Sequence, residues 1–301
     1  MNLVEVEGLR KSFGDKRVLR GFDLSLAAGS VYVLLGRNGA GKSTFVNILL
    51  DALEADSGTV KRNFDVKHDA GAVFQEDCFP GGVRVKDLAA LQAYFFSKKP
   101  DIDSLLTEFD LSGEKDQLAD SLSGGQKRRV SFLLSLIPEP KLLILDEPAA
   151  GMDYQSVEKF NAKIKRLKSE GRTILLVTHD LYQIESFADR ILLLDSGVVK
   201  ENISVADLNN EIVYQFPASL VPAGLVPAGL VSAGLVSSGS GFLSDGISDD
   251  IVYADSDFVV VSESRCADFA AKAGISDPAR FRRAKRAGDI FRRISFLEGG
   301  K

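Results

Sequence analysis

The fold of this chain is decided by the stretch "VYVLLGRNGAGKST", which runs from Val31 to Thr44. Residues 31–35 are all apolar, a pattern that predicts a β-strand buried on both faces of a sheet. Residues 36–44 match G-x-x-x-x-G-K-[S/T], and the apolar spacing that follows predicts a helix. A glycine-rich turn between a buried strand and a helix wraps backbone N–H groups around phosphate, so the stretch predicts a phosphate-binding loop.

The loop predicts a role for each of its residues. Lys42 supplies a positive charge to the outer phosphates of a nucleoside triphosphate, and Ser43 offers its hydroxyl to Mg²⁺. We therefore predict a nucleotide site whose loop residues are Gly36, Asn38, Gly39, Ala40, Gly41, Lys42, Ser43 and Thr44.

Outward from the loop, apolar runs alternate with helical patterns. "LLIL", "TILLV" and "ILLL" predict further buried strands, and residues 154–170 keep their apolar side chains at helical spacing. This alternation predicts a mostly parallel α/β sheet. Period-two alternation in "LVEVEGL" and "GFDLSLAAG" predicts antiparallel strands before it, and residues 76–121 predict a helical insert.

Two acidic residues close one of the buried strands. "LLILDEP" runs from Leu142 to Pro148, so Asp146 and Glu147 lie at the carboxyl end of a strand in the same sheet as the phosphate loop. Asp146 is predicted to hold Mg²⁺, and Glu147 to polarise an attacking water as a general base. These positions predict hydrolysis of the nucleotide.

A second glycine-rich stretch, "LSGGQKRR" from Leu122 to Arg129, precedes the apolar run "VSFLLSLI". Because that run predicts a helix, the glycines lie at a helix N-terminus, where free N–H groups and the helix dipole favour an anion. The stretch therefore predicts another phosphate contact.

The order of these motifs, completed by "TH" at Thr178–His179 after a buried strand, resembles that of the ATP-binding cassette (ABC) ATPases, whose signature is LSGGQ. The resemblance covers residues 1–211. It implies ATP hydrolysis with Mg²⁺ on a P-loop NTPase-type sheet with an antiparallel N-terminal β subdomain and a helical insert.

The resemblance also assigns residues whose own signals are weak. Gln75 in "AVFQED" resembles the glutamine that senses magnesium and couples to the membrane partner, and Asp153 in "AAGMD" resembles the aspartate at the dimer seam. His179 resembles the switch histidine that contacts the terminal phosphate. Phe13 occupies the place of an aromatic residue that stacks on adenine.

The family mechanism implies that the signature serves a second subunit. Ser123, Gly125 and Gln126 would contact the terminal phosphate of ATP held by that subunit. The chain has one phosphate loop and one signature, so a two-fold homodimer would complete two ATP sites.

Beyond residue 211 the composition changes. "LVPAG LVPAG LVSAG LVSSG" at 220–239 is a pentapeptide repeat, and residues 212–244 carry no charge. Its glycines and prolines predict a flexible linker over 212–248, with membrane-surface contact as the alternative. Residues 249–301 predict a small α+β accessory domain with a strand at "DFVVVSE" and helices over 267–275 and 278–294. The last helix is basic, which fits a solvated face or contact with anionic lipid or nucleic acid.

Composition limits the location and the partners. The net charge is −5, although residues 265–301 hold ten basic and four acidic residues, so the acidic body is not that of a general nucleic-acid binder. Two cysteines outside any CxxC pair fit a reducing compartment. The first residues lack the apolar stretch of a signal peptide, which predicts a cytoplasmic protein.

Together these features predict the ATP-hydrolysing subunit of an ABC transporter, peripheral on the cytoplasmic face of the cell membrane. It would power a separate multi-span permease, and the short tail resembles that of exporter-type subunits. The alternative is a soluble ABC ATPase acting on the ribosome or nucleic acid. Only 77 residues separate Thr44 from Leu122, which excludes the long coiled coil of repair and chromosome relatives.

Overall fold

The computed structural model describes residues 1–96, 98–149, 152–178, 184–210, 212–220, 251–254, 258–284 and 286. The chain divides into two compact units, Met1–Asn202 and Ile203–Lys301. The strands are β1 (Asn2–Phe13), β2 (Lys16–Arg20), β3 (Leu24–Ala27), β4 (Val31–Leu35), β5 (Ser57–Arg62), β6 (Ala70–Val73), β7 (Leu142–Asp146), β8 (Thr173–Val177), β9 (Arg190–Asp195), β10 (Val198–Ser204), β11 (Ile212–Pro217), β12 (Ile251–Ala254), β13 (Phe258–Ser262) and β14 (Arg282–Ala284). The helices are α1 (Lys42–Leu49), α2 (Val66–Asp69), α3 (Val85–Phe95), α4 (Ile102–Glu108), α5 (Gly124–Leu136), α6 (Tyr154–Ser169), α7 (Val205–Asn210) and α8 (Cys266–Ala273).

An antiparallel sheet forms the N-terminal subdomain of the first unit. Its long strand β1 pairs with β2, β3 and β5, all antiparallel. Alternate side chains of β1, among them Val4 and Val6, are buried while Glu5 and Glu7 face outward. The antiparallel pairing confirms the predicted subdomain. The burial pattern is that of a sheet with one face toward solvent.

The central sheet carries the strand order β10-β9-β4-β8-β7-β6. The pairs β9–β4, β4–β8, β8–β7 and β7–β6 are all parallel. Every residue of β4, β7 and β8 is buried, as their continuous apolar runs predict. Since neighbouring parallel strands end at the same edge, the segments that follow β4, β6, β7 and β8 are brought together there.

Helix α1 is fixed to the sheet by aromatic packing. The Phe45 side chain is 1% exposed, and its ring meets that of Phe22 edge-to-face with the centroids 5.4 Å apart. Both rings lie in the core cluster that joins the two sheets of the first unit. The helix that follows the phosphate loop is therefore anchored at its first turn.

Truncating the Phe45 side chain is expected to destabilise the protein. Phe45→Ala should lower the free energy of unfolding by about 3–5 kcal/mol, because it leaves a cavity under α1. Phe95→Ala, at a ring that is 69% exposed, is the matched control and should change it by less than about 0.5 kcal/mol. Urea unfolding followed by circular dichroism measures both; equal effects would contradict the role of Phe45.

The predicted helical insert is present and holds α3 and α4. Helix α3 packs on α5, and its residues Leu88 and Ala89 are buried. Its other face leaves Leu91, Tyr94 and Phe95 exposed. Among the helices of the described residues, none has the length and apolarity needed to cross a membrane.

The second unit contains a four-stranded sheet of order β12-β13-β11-β14 with helix α8. Its core holds Phe216, Val259, Val261 and Phe269. The sequence predicts a small α+β extension with a strand near 257–263 and a helix near 267–275. Strand β13 and helix α8 lie at these positions. The pentapeptide repeat from residue 221 onward lies outside the described residues.

Two sequence predictions in this region are corrected. Residues 212–217, assigned to the linker, form β11, which pairs with β13 and β14. Residues 278–284, predicted as helix, form a 3₁₀ turn and then β14. The Phe281 ring packs on Phe216 with the centroids 5.2 Å apart, and the Arg283 side chain donates to Gln215. These non-local contacts outweigh a weak local helix preference. The division after Asn202 also differs from the predicted boundary at 211.

Candidate active site

The phosphate loop lies at the carboxyl end of β4 and depends on two glycines. Gly41 has φ +108°, and a Cβ there would meet the Leu19 side chain at 2.7 Å. A Cβ on Gly36 would collide with the carbonyl oxygen of Leu194. Glycine is therefore required at both positions. Gly41 is the N-cap of α1 and, among the described residues, no side chain caps this helix, so its N-terminus is suited to an anion.

Lys42 lies across this loop. Its Nζ donates to the carbonyl oxygens of Gly36, at 2.6 Å, and of Arg37, at 3.1 Å. Burial lowers the pKa of Lys42, while the charges of Glu147 and Asp146 oppose that shift. The two acids predicted from "LLILDEP" therefore lie within electrostatic reach of the lysine that the phosphate-loop motif predicts.

Asp146 ends β7 and is a buried residue. Burial raises the pKa of Asp146, the adjacent Glu147 raises it further, and Lys42 and Arg128 act in the opposite direction. A buried carboxylate beside a second acid is the type of group that a divalent cation stabilises. Its environment fits the predicted Mg²⁺ site, with Ser43 and Gln75 as the other predicted contacts.

Glu147 lies at a sharp turn directly after β7. Its φ of +47° is in the left-handed region that non-glycine residues rarely adopt. Its N–H donates to the Val177 carbonyl at 2.8 Å, and the Thr178 hydroxyl donates to its carboxylate at 3.1 Å. The end of β8 thus holds both the backbone and the side chain of Glu147. Such backbone strain at a carboxylate is typical of functional sites.

The signature stretch begins α5 with a capping box. The Gln126 N–H donates to the Ser123 hydroxyl, and the Ser123 N–H donates to the Gln126 side chain at 3.0 Å. The Gln126 amide also donates to Glu114 at 2.8 Å. These bonds hold the signature rigidly at a helix N-terminus.

The signature opens onto a cleft of about 650 Å³. Gly125, Gln126, Gln75 and Asp153 are among the residues that line it. Asp153 also caps α6: hydrogen bonds from the Ser156 N–H and hydroxyl lower the pKa of Asp153. The structure therefore brings together the predicted signature, glutamine and seam residues, in a cleft that does not include the phosphate loop.

Phe13, predicted to stack on adenine, is an exposed aromatic residue in the described structure. It is 51% exposed at the end of β1, paired with Lys16 at the start of β2, and Lys11 lies over its ring at 5.7 Å. The same strand β2 brings Leu19 against Gly41 of the phosphate loop. His179 lies outside the described residues, so its role stays a prediction.

Sequence reasoning missed Arg128. The residue is buried on α5 and joins the signature helix to the Glu147 turn and to the segment before Gln75. One signal could have indicated its burial. Arg128 lies four residues after Gly124, just before the apolar run of α5, which is largely buried. Neighbouring basic residues hid it, since charge runs usually face solvent.

Comparison with known proteins shows to which family the chain is similar. Residues 19–150 match the family model described as ABC transporter. The chain is 34% identical to the aliphatic sulfonates import ATP-binding protein SsuB of Corynebacterium glutamicum, over 66% of this chain and 83% of that protein. It is 33% identical to the Nod factor export ATP-binding protein I of Rhizobium sp. (strain N33), over 64% and 68% of the two chains.

A solved structure of an ATP-binding subunit of an ABC transporter superposes with a TM-score of 0.64 at 24% identity, over 69% of this chain and 92% of that one. This likeness shows the shared fold, a mostly parallel P-loop sheet with an antiparallel subdomain. From the motifs, the family match and the curated relatives together, we conclude that the chain belongs to the ABC transporter ATP-binding proteins and is an ATP-hydrolysing subunit of that family.

Proposed function

We propose that this chain acts as a homodimer on the cytoplasmic face of the membrane and powers a separate multi-span permease in the export direction. The observation that carries the proposal is the separation of the two half-sites. One half-site is the electrostatic group of Lys42, Asp146 and Glu147. The other is the cleft lined by Ser123, Gly125 and Gln126, and its lining includes none of those three residues. Each half-site would be completed by the opposite half of a second copy.

Within a complete site each residue has one task. The loop N–H groups and Lys42 bind the phosphates, and Phe13 stacks on the adenine. Ser43 and Asp146 would hold Mg²⁺, which would neutralise phosphate charge, and Gln75 would be its further predicted contact. Glu147 accepts a proton from the attacking water, and His179 contacts the terminal phosphate.

The signature of the second copy would then close the site. Its N–H groups at the start of α5, together with Ser123 and Gln126, point a helix dipole at the terminal phosphate. Asp153 would lie at the seam between the copies. Closure on ATP and opening after hydrolysis would deliver the mechanical work to the permease.

The permease is proposed to dock beside Gln75 on the helical insert. There the structure exposes Phe74 by 49%, Tyr94 by 80% and Phe95 by 69%. Exposed aromatic side chains of this size favour a protein partner. The similarity extends to both an import and an export protein, so export is proposed on the short accessory unit after the cassette, which resembles that of exporter-type subunits.

The test uses tagged Glu147→Gln protein, loaded with ATP, to capture partners from detergent-solubilised native membranes. We expect one multi-span protein in near-equal amount, and its loss when Tyr94 and Phe95 are both replaced by Asp. Ala52→Asp, at an exposed position of the first unit, is the control and should keep the partner. Recovery of ribosomal or nucleic-acid proteins instead, with no membrane protein, would support the soluble alternative and overturn the transport proposal.

Direction is tested on the wild-type chain, assembled with the captured permease in sealed vesicles. If the complex exports, a cell extract offered on the cassette side should stimulate its ATP hydrolysis. Stimulation only by extract enclosed on the opposite side would show import.

A further inference from the structure

Arg128 is a buried charge inside the first unit. Its side chain is 3% exposed, and it extends from α5 one helical turn after Gly124. A buried guanidinium is strongly destabilising unless its charge and its donors are all compensated. The contacts of Arg128 therefore show which groups compensate its buried charge.

Each N–H group of the guanidinium has an acceptor. Nε donates to the Pro148 carbonyl at 3.4 Å, and Nη2 donates to the carbonyls of Glu147, at 2.7 Å, and Asp146. Nη1 donates to the Phe74 carbonyl and to the Asp77 carboxylate, the latter at 3.3 Å. These five contacts use the whole planar fork of an arginine, a geometry that lysine cannot reproduce.

Four of the five acceptors belong to the backbone of two predicted catalytic segments. The carbonyls of residues 146–148 form the turn in which Glu147 takes its left-handed conformation. The Phe74 carbonyl immediately precedes Gln75. Arg128 thus adds its own bonds to those that Val177 and Thr178 make with Glu147, and it fixes the Gln75 segment to that same turn.

We propose that Arg128 is a positioning residue that couples the signature helix to the Glu147 turn and the Gln75 segment of its own subunit. This inference rests on the proposed function of those residues. In a homodimer the signature of one copy would contact one ATP, while its Glu147 would act on the other. A shift of α5 when the signature binds would therefore pass through Arg128 to the second site, and the two sites would hydrolyse ATP cooperatively.

The test compares Arg128→Gln and the milder Arg128→Lys with wild type. We expect kcat to fall about 100-fold in Arg128→Gln, because small displacements of a catalytic group have effects of this size. The affinity for ATP, measured by equilibrium binding, should change less than about threefold, since the loop and Lys42 do not contact Arg128. The Hill coefficient for ATP should fall towards that of independent sites in both variants.

Arg62→Gln is the matched control. Arg62 is another poorly exposed arginine that donates to backbone carbonyls, those of Leu49 and Ile48, but it lies outside the site. Its loss should lower the melting temperature and leave kcat and cooperativity unchanged. All assays run well below the melting temperature, so that only folded protein is compared.

The outcomes separate this inference from the proposed function. Normal kcat and cooperativity in Arg128→Gln, with inactive Glu147→Gln, would overturn the positioning role alone. An active Glu147→Gln would overturn the site assignment itself. If Arg128→Gln does not fold, Arg128→Lys decides: wild-type kcat and Hill coefficient in that variant would also overturn the role.

Discussion

Glu147→Gln is expected to bind ATP and to hydrolyse it at least about 100-fold more slowly than wild type, since the amide cannot accept the proton of the attacking water. The substitution keeps the size of the side chain, and its remaining oxygen can still accept from the Thr178 hydroxyl. Phosphate release in single-turnover conditions measures the rate of hydrolysis. Equilibrium binding measures the affinity for ATP.

The same variant should accumulate as an ATP-bound dimer, because hydrolysis is what reopens the two sites. Gel filtration with and without ATP measures this shift. Glu54→Gln removes one carboxylate at an exposed position of the first unit and is the control. Turnover near the wild-type rate in Glu147→Gln would remove Glu147 from the role of general base.

Lys42→Ala is expected to weaken ATP binding by about 100-fold, equivalent to about 2.7 kcal/mol, because the triphosphate would meet an uncompensated acidic site. The charges of Glu147 and Asp146 both act on Lys42. Without it their negative charge would repel the nucleotide, and hydrolysis should fall together with binding. Titration with a fluorescent ATP analogue and a steady-state phosphate assay measure the two effects.

The control for this variant is Lys61→Ala. Lys61 is 68% exposed and pairs with Glu5 on the outer face of the antiparallel sheet, so its loss should leave both assays unchanged. Wild-type affinity in Lys42→Ala would show that the loop N–H groups alone hold the phosphates and would contradict the predicted role.

The central sheet could be predicted because its strands carry local signals. Continuous apolar runs such as 31–35 and 173–177 have few alternatives to a strand buried on both faces. Parallel strands also end at one edge, so the residues after β4, β6 and β7 had to converge. The second unit was predicted less well: "IVYQFP" at 212–217 is rich in strand-forming residues, but the uncharged repeat after it hid that signal.

The sequence by itself determined the phosphate loop, the acidic strand end and the signature helix, because each depends on residues that are neighbours in the chain. Tertiary structure alone decided which groups hold them in place. Arg128 reaches segments 18 and 54 residues away, and β14 pairs with β11 across the repeat. Such contacts depend on how elements pack, and a burial pattern does not reveal which distant carbonyl a buried guanidinium will meet.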